Sequence, residues 1–313
     1  MAVLKTYRFY LKSLIKDPYY WFWAVFFMLF WLVMGAFIYG STMTKDSLRR
    51  DLEKIIPPST PMFESILEDM WNKSTLYYTG SWYSSTALYS LTTIAMGLVH
   101  YIYYSTIPIR YLTKYSKASS TRFYTGLTLA SLTTSLIATG ILVASTIILY
   151  SYKFHELNKF ILPKNPLGVF TVTVTGGVFM FFFSTTLALL VVAMRKPRLL
   201  GMLSFVPLML SYALGMYGLM AGGGLVHLSP FNIILLLAFH YYTESPISLN
   251  LRVVDMWRAD PEVKEWFSKD LAIQLADPAI LWIILGFWIL ITAGISLILL
   301  RVQKGVSVEE ILS

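Results

Sequence analysis

The chain has 313 residues, 56% of them hydrophobic and 13% charged, with a formal net charge of +8 and no cysteine. Soluble domains carry about 25% charged residues, so a polytopic membrane protein is expected rather than a soluble enzyme or a nucleic-acid-binding domain. The missing cysteines exclude disulfides, thiolate metal sites and cysteine nucleophiles.

The first expected element is an amphipathic helix over residues 2–16. Val3, Leu4, Tyr7, Leu11, Leu14 and Ile15 fall on one face, and Lys5, Arg8, Lys12 and Lys16 on the other. Such a helix lies in the cytoplasmic membrane interface with its cations toward anionic lipid headgroups. Asp17 then fits an N-cap. Pro18 fits the first position of the next helix, where its missing N–H costs nothing. The chain turns there from lying on the membrane to crossing it. A basic flank that only orients the first span is the plainer reading, and it leaves the apolar periodicity unexplained.

The first span covers about 19–39. No Asp, Glu, Lys, Arg, Asn or Gln occurs between Tyr19 and Tyr39. About 20 apolar residues suffice to cross a hydrocarbon core of ~30 Å. Tyr19, Tyr20, Trp21 and Trp23 form an interfacial aromatic belt at its start. The run is too long for a signal peptide, and no small-residue cleavage site follows it. Residues 41–85 form an external loop. It holds a charged helix from about Asp46 to Ile55 and a short amphipathic helix opened by Thr60-Pro61 and reaching Trp71.

Further spans are expected at about 86–107, 123–150, 168–194, 199–221 and 279–300. Six spans put both termini on one side of the membrane. The loop with Arg110, Lys114, Lys117 and Arg122 and the turn from Arg195 to Arg198 are short, basic and free of acids. The connections at 41–85, 151–167 and 222–278 are longer and hold nearly all the acids. Short basic loops stay in the cytoplasm, so both termini are expected there. Residues 230–243 are apolar but too few to span, which suits a re-entrant helix in the outer leaflet. Asp260-Pro261 and Asp277-Pro278 repeat the capping device, opening an external amphipathic helix and the last span.

No phosphate-cradling G-x-x-x-x-G-K-[ST] occurs, His155 lacks the second histidine of H-E-x-x-H, and no G-x-S-x-G elbow is present. No catalytic, cofactor or metal site is therefore expected. The spans also lack the charged residues that ion-coupled transporters use for their relays. They carry hydroxyls and glycines instead. Ser90, Thr93, His100, Ser211 and Gly215 are candidates to line a path for an amphipathic substrate, and ordinary helix packing is their competing role. For His100 and His240 a hydrogen-bonded packing role is the simpler one. In the cytoplasmic segment 108–122, Tyr111, Leu112 and Tyr115 give an apolar-aromatic face on a one- or two-turn helix. Arg110, Lys114 and Lys117 flank it. Two roles stay open for this segment, a topological anchor and a docking helix for a partner.

Five features in this order resemble the permease subunits of ABC-2 type ATP-binding cassette exporters. They are the interfacial helix ending in "KDP", the segment "RYLTKYSKASSTRFYTG" between spans two and three, the turn "RKPR", the re-entrant "LSPFNIILLLAF", and a short basic C-terminal end. The resemblance implies a second permease subunit, the same or different, and a separate ATPase subunit that carries ATP and magnesium. It implies that segment 108–122 docks on that ATPase, and that a path opens between the permeases, chiefly along spans two and five. It also implies export across the plasma membrane, with no bond chemistry in this chain. Two departures stand out. Arg110 and Tyr111 occupy a region often acidic in the family, and the outer loop is long. A non-transporting scaffold or anchor subunit is the alternative, which co-purification with a P-loop ATPase would distinguish.

Overall fold

The computed structural model describes residues 2–54, 56–115, 120–157, 159–217, 228–248 and 275–302; side chains are described for these apart from residues 2, 107–115, 120, 121, 216, 217, 301 and 302. Almost all of the described chain is helical. Four stretches, Pro18–Glu53, Arg122–Lys153, Pro166–Met194 and Pro278–Leu300, contain helices long and apolar enough to cross a membrane. The protein is an α-helical membrane protein.

Helix α1 spans Ala2–Lys16. Asp17 breaks it with an extended backbone, and its carboxylate accepts from the backbone N–H groups of Tyr19 and Tyr20. Pro18 opens the next helical run as expected. This run, α2, is not uniform. It begins at Pro18–Trp21, widens into a π turn at Phe22–Phe26, resumes α geometry at Phe27–Val33, widens again at Met34–Ile38, and closes in a 3₁₀ turn at Tyr39–Thr42. The charged helix α3, Lys45–Glu53, follows, with Thr44 accepting from the N–H of Ser47.

Helix α4 runs unbroken from Phe63 to Tyr115, 53 residues. At about 1.5 Å per residue it is ~80 Å long, well beyond a hydrocarbon core of ~30 Å. This corrects two expectations. The short helix from Thr60-Pro61 does not end near Trp71, and segment 108–122 does not begin with a separate helix. No proline interrupts the sequence from Phe63 to Ile107. Leu67, Met70, Trp71, Thr75 and Thr79 are buried, so packing holds the helix together across the stretch assigned to a loop. Gly80, the one glycine there, sits where a Cβ would lie 2.5 Å from the Thr243 Cγ2 atom. It admits close approach and does not end the helix.

The remaining helices are α5 (Ser120–Lys153), α6 (Pro166–Met194), α7 (Leu199–Leu210, continuing as a π-helical stretch, Ser211–Tyr217), α8 (Pro230–Thr243) and α9 (Pro278–Val302). Asn165 caps α6, and Asp277 caps α9 through the N–H of Ala279. Arg195, in the left-handed region, closes α6 and starts the tight turn to α7. A two-residue antiparallel pair joins Ile247–Ser248 (β1) to Leu275–Ala276 (β2) between α8 and α9. The expected helix at Asp260-Pro261 lies outside the described residues.

Helices α4 and α6 form the centre of the bundle. α8 is wedged between them and α9. Twelve of its 14 residues are buried, which explains why it is apolar all round. It matches the expected bounds, 230–243, but the protein encloses it. α1 packs along α5 through Tyr7, Tyr10, Leu11 and Leu14. Part of the face assigned to lipid therefore meets protein, while Leu4 and Ile15 stay exposed beside the basic stripe.

Candidate functional site

The corner at Asp17 opens onto a cleft of ≈ 610 Å³. Phe9, Tyr10 and Ser13 of α1 form one wall, and Tyr19, Tyr20 and Trp23 of α2 form another. The third wall is a single stripe of α4: Thr93, Met96, Gly97, His100, Tyr101, Tyr104 and Ser105. These positions recur at intervals of three and four, so one helical face presents them all.

Hydrogen bonds fix the walls to one another. The Ser13 hydroxyl meets the Tyr101 phenol at 2.7 Å, joining α1 to α4. Tyr20, buried, reaches the Thr134 hydroxyl at 2.8 Å, joining the start of α2 to α5. Tyr7 meets Thr133 at 3.2 Å. Gly126 makes this possible, since a Cβ there would lie 2.8 Å from the Thr6 Cβ. Burial raises the Tyr10 phenol above its ordinary value, so it is neutral at physiological pH. Phe9, Tyr19 and Tyr104 are mostly exposed and form the mouth, while Tyr20, Thr93 and Met96 are buried and form the floor.

The structure separates the residues nominated for a substrate path. Thr93 and His100 line the cleft together with Asp17. Thr93 donates to the Ser90 carbonyl within its own helix, whereas His100 has no hydrogen-bond partner among the described residues. Ser90 lies outside the lining and donates to the Ala24 carbonyl at 2.6 Å. Ser211 is buried and bonds to the Leu208 carbonyl and to Thr92. A Cβ on Gly215 would lie 2.9 Å from the Leu88 Cδ2 atom. Ser90, Ser211 and Gly215 therefore serve helix packing. His240 does too, with its Nδ1 atom 2.7 Å from the Ser245 carbonyl. The other α4 hydroxyls mostly donate back to carbonyls three or four residues earlier, the usual way to satisfy them in an apolar bundle.

Lys12 and Lys16 are exposed on α1, outside the cleft, and Pro18 forms the hinge with Asp17. Arg110, Tyr111, Leu112, Lys114 and Tyr115 sit on the last turns of α4, with side chains outside the described set. Lys117 lies outside the described residues. Sequence reasoning missed the aromatic wall of Phe9, Tyr10, Tyr101 and Tyr104. The spacing of Gly97, His100 and Tyr104 was its available signal, because it places them on one helical face. The three ion pairs found among the described residues, Arg49–Glu64, Lys54–Asp51 and Lys73–Asp69, all lie on α3, just after it, or on the first turns of α4. The basic residues of α1 and of the α6–α7 turn form none with the described residues. No family model, curated protein or solved structure matches this chain.

Proposed function

We propose that the chain is the permease subunit of an ABC-2 type transporter, paired with a second permease and driven by a separate ATPase subunit. On this reading α4 and α7 join the four apolar helices as the second and fifth of six spans. The basic ends of α1, of segment 108–122 and of the α6–α7 turn share the cytoplasmic side. Export across the plasma membrane is the expected direction.

One observation carries the proposal: α1 is a basic helix that ends at the Asp17-Pro18 corner before the first span, packs along α5 and is fixed to α4 through Ser13 and Tyr101. A push on the cytoplasmic end of α4 would therefore reach α1 and the cleft as one rigid unit. That is the linkage a partner ATPase needs, since the partner supplies ATP and Mg²⁺ and this chain does no bond chemistry. Tyr111, Leu112 and Tyr115 are the proposed contacts with that partner, with Arg110, Lys114 and Lys117 at the rim.

The test is co-purification with a P-loop ATPase, repeated with Tyr115→Asp and Lys117→Ala. Buried aromatic anchors cost on the order of 2 kcal/mol or more when truncated, and rim charges mainly alter association rate. Tyr115→Asp is expected to release the ATPase or uncouple it from transport, and Lys117→Ala to do much less. Full ATPase association and transport in Tyr115→Asp would leave the segment as a topological anchor and favour a scaffold subunit.

A further inference from the structure

We propose that the cleft between α1, α2 and α4 binds a lipophilic cation, an onium centre carrying aryl or alkyl groups. Three observations converge. First, its volume of ≈ 610 Å³ lies within the ~300–1,000 Å³ typical of small-molecule sites. Second, seven of its 14 described lining residues are aromatic, and ring faces attract cations at exposed sites as well as at desolvated ones. Third, among the described residues that line it Asp17 is the one carboxylate, and none is a lysine or arginine.

Asp17 is suited to this role. Both of its capping hydrogen bonds use the same oxygen, Oδ1. Its other oxygen, Oδ2, has no partner among the described residues. The nearby cations Lys12 and Lys16 are outside the lining, and neither pairs with Asp17. A bound cation would sit beside this oxygen, among the rings of Phe9, Tyr19 and Tyr104 at the mouth, with its apolar groups against Tyr20 and Met96. This binding does not depend on the exporter reading, because the isolated chain contains every residue involved.

Tetraphenylphosphonium and tetraphenylborate make a decisive pair of probes, having nearly the same shape and opposite charge. Each is titrated against the purified full chain in lipid nanodiscs, with empty nanodiscs subtracted. Saturable binding of one phosphonium per chain is expected, with no saturable binding of the borate. Asp17→Asn keeps a capping side chain and is expected to weaken phosphonium binding by about three- to tenfold. Tyr104→Leu, at an exposed position, is expected to weaken it by about threefold, and it carries the test if Asp17→Asn fails to fold. Borate binding as tight as phosphonium would mean that the cleft does not select positive charge, and would overturn the proposal. So would unchanged phosphonium affinity in the folded Asp17→Asn or Tyr104→Leu variant. Neither result bears on ATPase association.

Discussion

The Ser90 hydroxyl donates to the Ala24 carbonyl at 2.6 Å. Ala24 lies in the first π turn of α2, and the second π turn has a matching bond, from the Tyr78 hydroxyl to the Gly35 carbonyl at 2.7 Å. A π turn shifts the helical hydrogen-bond ladder, and inserted side-chain donors commonly accompany such irregularities. Each widened turn of α2 is thus tied to a hydroxyl of α4. Removing a buried partner costs about 1–3 kcal/mol. Ser90→Ala is therefore expected to lower the thermal midpoint in detergent while leaving phosphonium binding unchanged. A loss of binding with unchanged stability would return Ser90 to the cleft's function.

Asp17 has a structural role separable from its charge. Losing an N-cap typically costs about 1 kcal/mol, and Asn caps about as well as Asp. Asp17→Ala is expected to destabilise the chain by that amount and Asp17→Asn to be nearly neutral, as measured by thermal unfolding. Equal destabilisation by the two would mean that the charge, not the cap, holds the corner.

Gly126 sets how closely α1 approaches α5. A methyl group there would lie 2.8 Å from Thr6 side-chain atoms and 3.0 Å from the Tyr7 backbone nitrogen. Overpacking of this kind costs about 1–3 kcal/mol. Gly126→Ala is expected to lift α1 from the bundle and to speed tryptic cleavage after Lys12 and Lys16. An unchanged cleavage rate would show that α1 slides to accommodate the methyl.

Burial divides the apolar helices into two kinds. Phe239 of α8 is fully buried, whereas Phe287 of α9 is 62% exposed on the surface offered to lipid. Truncating a buried phenylalanine costs about 3–5 kcal/mol. Phe239→Ala is expected to lower stability sharply and Phe287→Ala hardly at all. Comparable effects would place a protein surface, such as a second copy of the chain, against α9.

Sidedness can be read directly, because the chain has no cysteine of its own. On the proposed topology, a cysteine at Asp51 is labelled by an impermeant reagent in intact cells, and one at Lys196 only after permeabilisation. Both positions are exposed. Labelling of Lys196→Cys in intact cells would reverse the topology.

The sequence by itself determined the helix starts and the apolar stretches. A cap is a local event, settled by one side chain and the N–H groups two or three residues on, so Asp17-Pro18 and Asp277-Pro278 were legible. So was the length of α8, bounded by Pro230 and Thr243. The tertiary structure alone decided that α4 continues unbroken past Trp71, because the stretch from Trp71 to Ser85 lacks apolar periodicity and is held by burial against distant helices. It alone decided which hydroxyls face a cleft, since Ser90 and Thr93 are three residues apart on one helix and differ only in the neighbour each meets. The cleft itself was invisible in the sequence: its walls come from residues 9–23 and 93–105, and only the packing of α1 against α4 and α5 brings Asp17, His100 and the aromatic rings to one place.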